Sequence, residues 1–210
     1  MESTNKIAIL GANGKAGKFL VNEALEKGYQ VKILTRNSNN MTITNENLEV
    51  IIGDARDFFA ICELLKGCQT VINAVGQPKN EPYIFSTVTK HILKVMKGFE
   101  IKRYILISGG SVNVAGDQRI VNKIGAHLFK VFLPKMMQDK YKELQIIQSS
   151  DVDWTIVRLP FVMDGKGIGK IKESLVDMPG IKIKNGDIAP FVIKQINSER
   201  YVGKCPFISN

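Results

Sequence analysis

Between the apolar run "KIAIL" (6–10) and the helix-like run that follows lie three glycines, Gly11, Gly14 and Gly17, in "GANGKAG". Glycine costs about 1 kcal/mol in a helix interior relative to alanine. Three of them at a spacing of three residues, where a strand gives way to a helix, mark main chain that something must approach closely. In a strand–turn–helix unit, Gly11 permits the tight turn, Gly14 leaves the backbone open to a pyrophosphate, and Gly17 lets the helix lie close on the sheet. Gly14 and Gly17 are expected on one helix face. Amides at that helix N-terminus favour an anion by hydrogen bonding and through the helix dipole.

The rest of the chain repeats the alternation. Apolar runs at "QVKILT" (30–35), "LEVIIGD" (48–54), "TVINAVG" (70–76), "RYILISG" (103–109) and "WTIVRL" (154–159) read as strands. Helix-like stretches separate most of them: 14–28, 58–67, 83–99, and a long one ending near "IIQSSD". Nearly continuous apolar strands joined by crossover helices specify a parallel sheet covered on both faces. The predicted class is α/β: a Rossmann-like, doubly wound, three-layer α/β/α sheet. No repeat or linker interrupts it, so residues 1–210 are expected to form a single domain.

After Pro160 the pattern changes. Residues 161–187, "FVMDGKGIGKIKESLVDMPGIKIKNGD", are rich in glycine and lysine and carry no alternation. A helix through "IAPFVIKQINS" and a short apolar element at "KCPFISN" close the chain. Ligands of open α/β sheets sit beyond the carboxyl ends of the strands. Residues 160–187 are therefore expected either as a small C-terminal lobe covering substrate or as surface connection.

Composition narrows the partners. No apolar run reaches the length of a membrane span, and "MESTNK" lacks the pattern of a signal peptide, which points to the cytoplasm. Cys62, Cys68 and Cys205 form no metal-ligand spacing and read as reduced thiols, so no metal is expected. The net charge of +9 divides almost evenly, +4 in residues 1–105 and +5 in residues 106–210. Without a basic arm or tail, nucleic acid is not the expected partner; diffuse positive charge suits a phosphorylated small molecule.

One position separates two such molecules. Dinucleotide sites place an acidic residue at the end of the second strand for the ribose of NAD, or an arginine for the 2′-phosphate of NADP. Here "VKILT" runs into Arg36, nineteen residues after Gly17, with no Asp or Glu beside it. A planar guanidinium suits a phosphate, so NADP(H) is expected over NAD(H).

Together these features resemble the atypical short-chain dehydrogenase/reductase group, in its NmrA-like, biliverdin-IXβ-reductase and flavin-reductase-like branch. The resemblance runs through "GANGKAG" (11–17), "TRN" (35–37), "GDARD" (53–57), "INAVG" (72–76), "ISGGS" (107–111) and "DWTIVRLP" (153–160). It implies that Asn13, Lys15 and Ala16 lie along the pyrophosphate turn and that Asp54 and Ala55 border the adenine. It implies further that Ala74, Val75 and Gly76 line the cofactor cleft. Asp54 has a second expected role, capping the helix that follows. In the family Arg-Pro usually follows the sixth strand directly; here Leu159 intervenes before Pro160 and Phe161, the expected substrate contacts.

Most short-chain dehydrogenases pair a serine after the fifth strand with a Tyr-x-x-x-Lys step that supplies the proton. None of Tyr29, Tyr83, Tyr104, Tyr141 and Tyr201 has lysine four positions later. The stretch "RIVNKIGAHL" offers Asn122, Lys123 and His127 but no tyrosine. Ser108 and Ser111 are the expected donors near a nicotinamide. His91 and His127 read as structural, Phe161 as a ring contact or a core residue, and Trp154 as core. The missing tyrosine turns the expectation toward an NADPH-dependent reductase of a flavin-like, quinone or other conjugated acceptor, in which the cofactor carries the chemistry. The alternatives are an NmrA-like protein that senses NADP(H) without turnover and, further off, a sugar-nucleotide epimerase or dehydratase.

Overall fold

Along the first strand, β1 (Lys6–Leu10), alternate side chains choose opposite sides of a sheet. Ile7 and Ile9 pack with Leu20, Val21 and Ala24 of α1 (Gly17–Glu26) and with Ile188 and Val192 of α5 (Asn185–Lys194). Ala8 and Leu10 face the other way, into a core with α2 (Phe58–Leu65), α3 (Ile84–Gly98) and α4 (Pro134–Gln148). The computed structural model describes residues 5–37, 43–77, 83–110, 112, 114 and 133–210.

The remaining strands are β2 (Gln30–Thr35), β3 (Leu48–Ile52), β4 (Thr70–Asn73), β5 (Arg103–Gly109), β6 (Asp153–Leu159), β7 (Phe161–Met163), β8 (Lys172–Ser174), β9 (Lys182–Lys184) and β10 (Phe207–Ser209). Eight of them form one sheet in the order β3-β2-β1-β4-β5-β6-β10-β8. Every pairing in it is parallel except β10 with β8. The order reverses at β1, between β2 on one side and β4 on the other. That reversal opens a crevice at the carboxyl ends of the strands. The expected Rossmann-like α/β fold is the observed one.

Differences from the expectations are local. α1 begins at Gly17, so Gly14 lies in the turn before the helix and does not share a helix face with Gly17. β3 and β4 end at Ile52 and Asn73; the residues expected to extend them, Gly53–Asp54 and Ala74–Gly76, leave the sheet. β3 is an edge strand, and Val50 and Ile52 are exposed, which corrects the reading of every strand as buried on both faces. Trp154 is half-buried against the core. The segment after Pro160 is not irregular throughout: β7 and β9 pair in parallel as a two-stranded ribbon, and β8 closes the edge of the main sheet. Asn122, Lys123, His127 and Ser111 lie outside the described residues.

Candidate functional site

At the strand-order reversal a cleft of about 440 Å³ opens between four chain segments. Its walls are Leu10–Gly14 after β1, Leu34–Asn37 at the end of β2, Gly53–Ala55 after β3, and Ala74–Gly76 after β4, with Ile84 at the start of α3. Of the residues singled out from the sequence, Gly11, Asn13, Gly14, Arg36, Asp54, Ala55, Ala74, Val75 and Gly76 line it. Lys15, Ala16 and Gly17 continue the same turn into α1 without lining the cleft. Leu10, Ala12, Leu34, Thr35, Asn37, Gly53 and Ile84 complete the walls and were not singled out.

Close backbone contacts set the turn. Gly11 has φ +77°, and a Cβ there would collide with the carbonyl oxygen of Ala74. A Cβ on Gly17 would collide with the Gly11 carbonyl oxygen and stand 2.7 Å from Ala12 C and Cα. Helix α1 therefore sits directly on the turn, and Gly11 directly on the end of β4. At Gly14 the nearest obstacle to a Cβ is the Gly11 carbonyl oxygen at 3.1 Å, and the residue is exposed. Gly14 N–H donates to that carbonyl at 2.9 Å. Among the described residues no side chain caps the N-terminus of α1, and its first turn holds no acidic residue. First-turn amides with no side chain over them form a natural anion site.

Side chains tie the walls together. Asn13 Nδ2 donates to Thr35 Oγ1 at 2.7 Å, and that hydroxyl donates to the Asn37 carbonyl at 2.9 Å. The turn after β1 is thereby fixed to the end of β2, where Arg36 is exposed on the cleft. Across from it, Arg56 grips Asp54 with Nε to Oδ1 at 2.9 Å and Nη2 to Oδ2 at 2.7 Å. Those hydrogen bonds hold the Asp54 carboxyl at about 2, with the charges of Arg56 and Arg36 adding to the effect. Asp54 does not cap α2. Asp57 does, accepting from Phe59 N at 2.9 Å, because it stands directly before the helix in extended conformation.

The other expected site residues fall elsewhere. Ser108, near the carboxyl end of β5, is buried and lies outside the walls of the cleft. Pro160 and Phe161 leave β6 on the far side of Ser108. Phe161 is 73% exposed and is no core residue. Arg158, ahead of the inserted Leu159, is wholly buried with its guanidinium 3.5 Å from the centre of the Phe207 ring. Its Nε donates to the Cys205 carbonyl at 3.0 Å, so it braces β6 against β10. His91 is a half-buried residue stacked edge-on to Phe58 at 5.7 Å. Cys62, Cys68 and Cys205 are free thiols, and among the described residues no group of His, Cys, Asp and Glu could hold a metal ion. No described helix is long and apolar enough to cross a membrane.

A parallel sheet reversing at β1, a glycine turn under an uncapped helix start and a cleft across the reversal define a dinucleotide-binding α/β protein. The family model described as NAD(P)H-binding matches residues 11–199, and the chain belongs to that family. It is 24% identical over 165 residues to the uncharacterized protein YwnB of Bacillus subtilis (strain 168), a match spanning 77% of this chain and 75% of YwnB. Three further curated relatives are longer proteins, of which the alignments span 33–41%. Among solved structures, a short-chain dehydrogenase/reductase of Veillonella parvula DSM 2008 in complex with NADP superposes with a TM-score of 0.83. It is 15% identical, with 98% of this chain and 94% of that one covered. ChuY, an anaerobilin reductase of Escherichia coli O157:H7, gives a TM-score of 0.81 at 16% identity, covering 98% and 97%.

Proposed function

We propose that the protein is an NADPH-dependent reductase acting on a flavin-like, quinone or other conjugated acceptor. The observation that carries this reading is the cleft itself, walled by the glycine turn and by Arg36 in a site of about 440 Å³. That volume lies within the usual range for small-molecule sites. The open main chain at Gly14 and the first-turn amides of α1 would hold the pyrophosphate. Asp54 and Ala55 would border the adenine, and Ala74, Val75 and Gly76 would line the path toward β5. Arg36 would take the 2′-phosphate in a charge-assisted pair. When bound, the dinucleotide supplies a hydride; the chain's part is to bind, orient and exclude water.

The acceptor class follows from the absence of Tyr-x-x-x-Lys anywhere in the chain. A conjugated acceptor spreads the incoming charge and has less need of a strong acid beside it. Likeness to a reductase of anaerobilin supports the same class. Residues 160–187 are proposed to cover the acceptor. In support, Met178 lies against the backbone of Gly110, just past β5, and Asn185 Nδ2 donates to the Lys15 carbonyl at 3.2 Å. The test is NADPH oxidation, followed by its near-ultraviolet absorbance, with FMN, riboflavin, biliverdin and quinones in turn. Turnover with at least one is expected. Tight NADPH binding with no turnover overturns the reading in favour of an NADP(H)-sensing protein.

A further inference from the structure

Between β5 and α4 lies a buried polar cluster that the nucleotide cleft leaves unused. The side chain of Lys140 is 11% exposed and that of Glu143, one turn on, 2%; their charged atoms are 3.7 Å apart. Lys140 Nζ sits 3.6 Å above the Phe85 ring and reaches Ser108 Oγ at 3.5 Å. Glu143 Oε1 accepts from Thr89 Oγ1 at 2.9 Å, and the Thr89 hydroxyl meets the Tyr104 hydroxyl at 3.3 Å. Asn73 Nδ2 donates to Tyr104 Oη at 2.9 Å, and Asn73 Oδ1 accepts from Val75 N at 3.1 Å. Val75 is a wall of the cleft. A continuous series of polar contacts thus runs from the cleft wall, through a buried ion pair, to Ser108.

Such a pair contributes little to stability, because desolvation offsets its attraction; apolar residues of the same volume often do as well or better. Its placement is more telling. The ammonium stands behind the one described serine at the carboxyl end of β5, where the family's usual acid is missing. We propose that Lys140 is the proton source of the reduction and delivers through Ser108 to the acceptor. This rests on the reductase reading above.

The step balances as follows. NADPH gives a hydride and is oxidised to NADP⁺, leaving the reduced acceptor with an extra electron pair and one proton short. Ser108 Oγ–H gives its proton to that atom while Oγ takes one from the Lys140 ammonium. Neutral Lys140 regains a proton from water at its exposed edge. Ser108 is the catalytic residue in this scheme and Lys140 the residue that positions and recharges it.

The surroundings suit the task. Burial lowers the proton affinity of Lys140, while Glu143 and Asp139, both on its own helix, offset the effect. Burial also pushes the Glu143 carboxyl up. Asp139 is held in place, accepting from Phe85 N at 2.8 Å and Ser86 N at 3.3 Å at the start of α3. On β5, Arg103 donates to the Gln195 carbonyl and Thr155 Oγ1, apart from this cluster, and the titratable group within it is Tyr104, whose hydroxyl burial drives above the ordinary tyrosine range. It stays protonated and serves only to hold Thr89 and Asn73.

The experiment compares wild type, Lys140→Met, Lys140→Arg and Ser108→Ala. Reductase kcat is followed against pH, NADPH affinity by calorimetry, and lysine ammonium titration by ¹⁵N nuclear magnetic resonance of the full chain. Wild-type kcat is expected to fall as pH rises through the titration of one lysine below the bulk lysines, and that signal disappears in Lys140→Met. Lys140→Met and Ser108→Ala lose the falling limb and about 100-fold in kcat, the ordinary worth of a positioned proton donor. Their NADPH affinity stays within about twofold of wild type. Lys140→Arg keeps the charge but gives no proton in this range, so it does not restore the limb. Variants that keep the wild-type profile, or no lysine titrating below the rest, overturn the proposal alone. Wild type that binds NADPH but reduces no acceptor overturns the reductase reading, and the proposal falls with it. Should Lys140→Met not fold, Ser108→Ala and the wild-type lysine titration decide.

Discussion

The two ends of the sheet differ in how much of their hold rests on polar side chains. From β1 to β4, main chain rests on main chain: Gly17 against Gly11, and Gly11 against Ala74. Beyond β6, Gly186 also meets Gly167 main chain to main chain, but short segments there hang on polar side chains in addition. Asp187 accepts from Ile168 N at 2.9 Å and Gly169 N at 2.8 Å, and Asn185 Oδ1 accepts from Gly165 N at 3.0 Å. Asn210 Oδ1 accepts from Lys184 N at 2.7 Å. Close backbone approach tolerates only glycine and leaves an unmistakable trace in sequence. A polar buckle needs only an Asn or Asp, which loops contain anyway.

The first means is the less forgiving, and Gly17→Ala would break it most. The added methyl has nowhere to go but into the Gly11 carbonyl and Ala12, both backbone, so α1 must lift away from the turn. We expect a loss of about 3 kcal/mol in stability, the upper end for overpacking, together with loss of NADPH binding. Denaturant unfolding and calorimetry check the two effects. A Gly17→Ala protein that binds NADPH normally would show that the turn is less tightly packed than it stands here.

Asp187→Ala probes the other end. It removes the acceptor of two backbone amides and of Asn210 Nδ2 at 3.1 Å, inside a buried setting. The expected cost is about 2 kcal/mol, as for lost hydrogen bonds to a charge, while NADPH affinity is unchanged because the cleft walls lie elsewhere. Unfolding curves and calorimetry on the same sample test this. A parallel loss of binding would mean that the two ends act as one, through the contact between Asn185 and Lys15.

Arg36→Ala sharpens the comparison within the cleft. NADPH should bind more weakly by about 1.5 kcal/mol, within the range for a hydrogen bond to a charged group, and NADH about as before. Calorimetric titration with both dinucleotides decides it. Equal losses would mean that Arg36 does not read the 2′-phosphate.

This contrast explains what could be read in advance. Alternation of apolar runs with helices gave the parallel sheet, and the three glycines gave the turn, because both follow from periodic or steric rules. Nine residues picked from motifs line the cleft, since they sit where strands end. The ribbon of β7 and β9 was not legible: "FVM" and "KIK" are too short for a period, and Asn185, Asp187 and Asn210 look like any loop residues. Lys140 and Glu143 were hidden for another reason. In "DKYKEL" charges alternate as on a solvated helix, and only the packing of α4 against α3 and β5 buries three of them, Asp139, Lys140 and Glu143.

The smallest effect concerns Asp54, and it tests whether the cleft's electrostatics are as local as they look. Its carboxyl is held at about 2, against an ordinary value of 3.8, chiefly by the hydrogen bonds from Arg56. A depressed carboxylate contributes stability that is fully present above pH 3.8 and is lost as pH falls through about 2. The pair is partly exposed, so solvent screening keeps that contribution small. Arg56→Ala should raise the Asp54 titration toward its ordinary value, leaving the backbone N–H of residue 56, which donates to Oδ1 at 2.8 Å, and the weaker pull of Arg36. Carboxyl chemical shifts followed by nuclear magnetic resonance from pH 1.5 to 6 report it directly. Adding NADPH should then move the Asp54 titration if the adenine lies beside it, whereas a distant nucleotide would leave the curve in place.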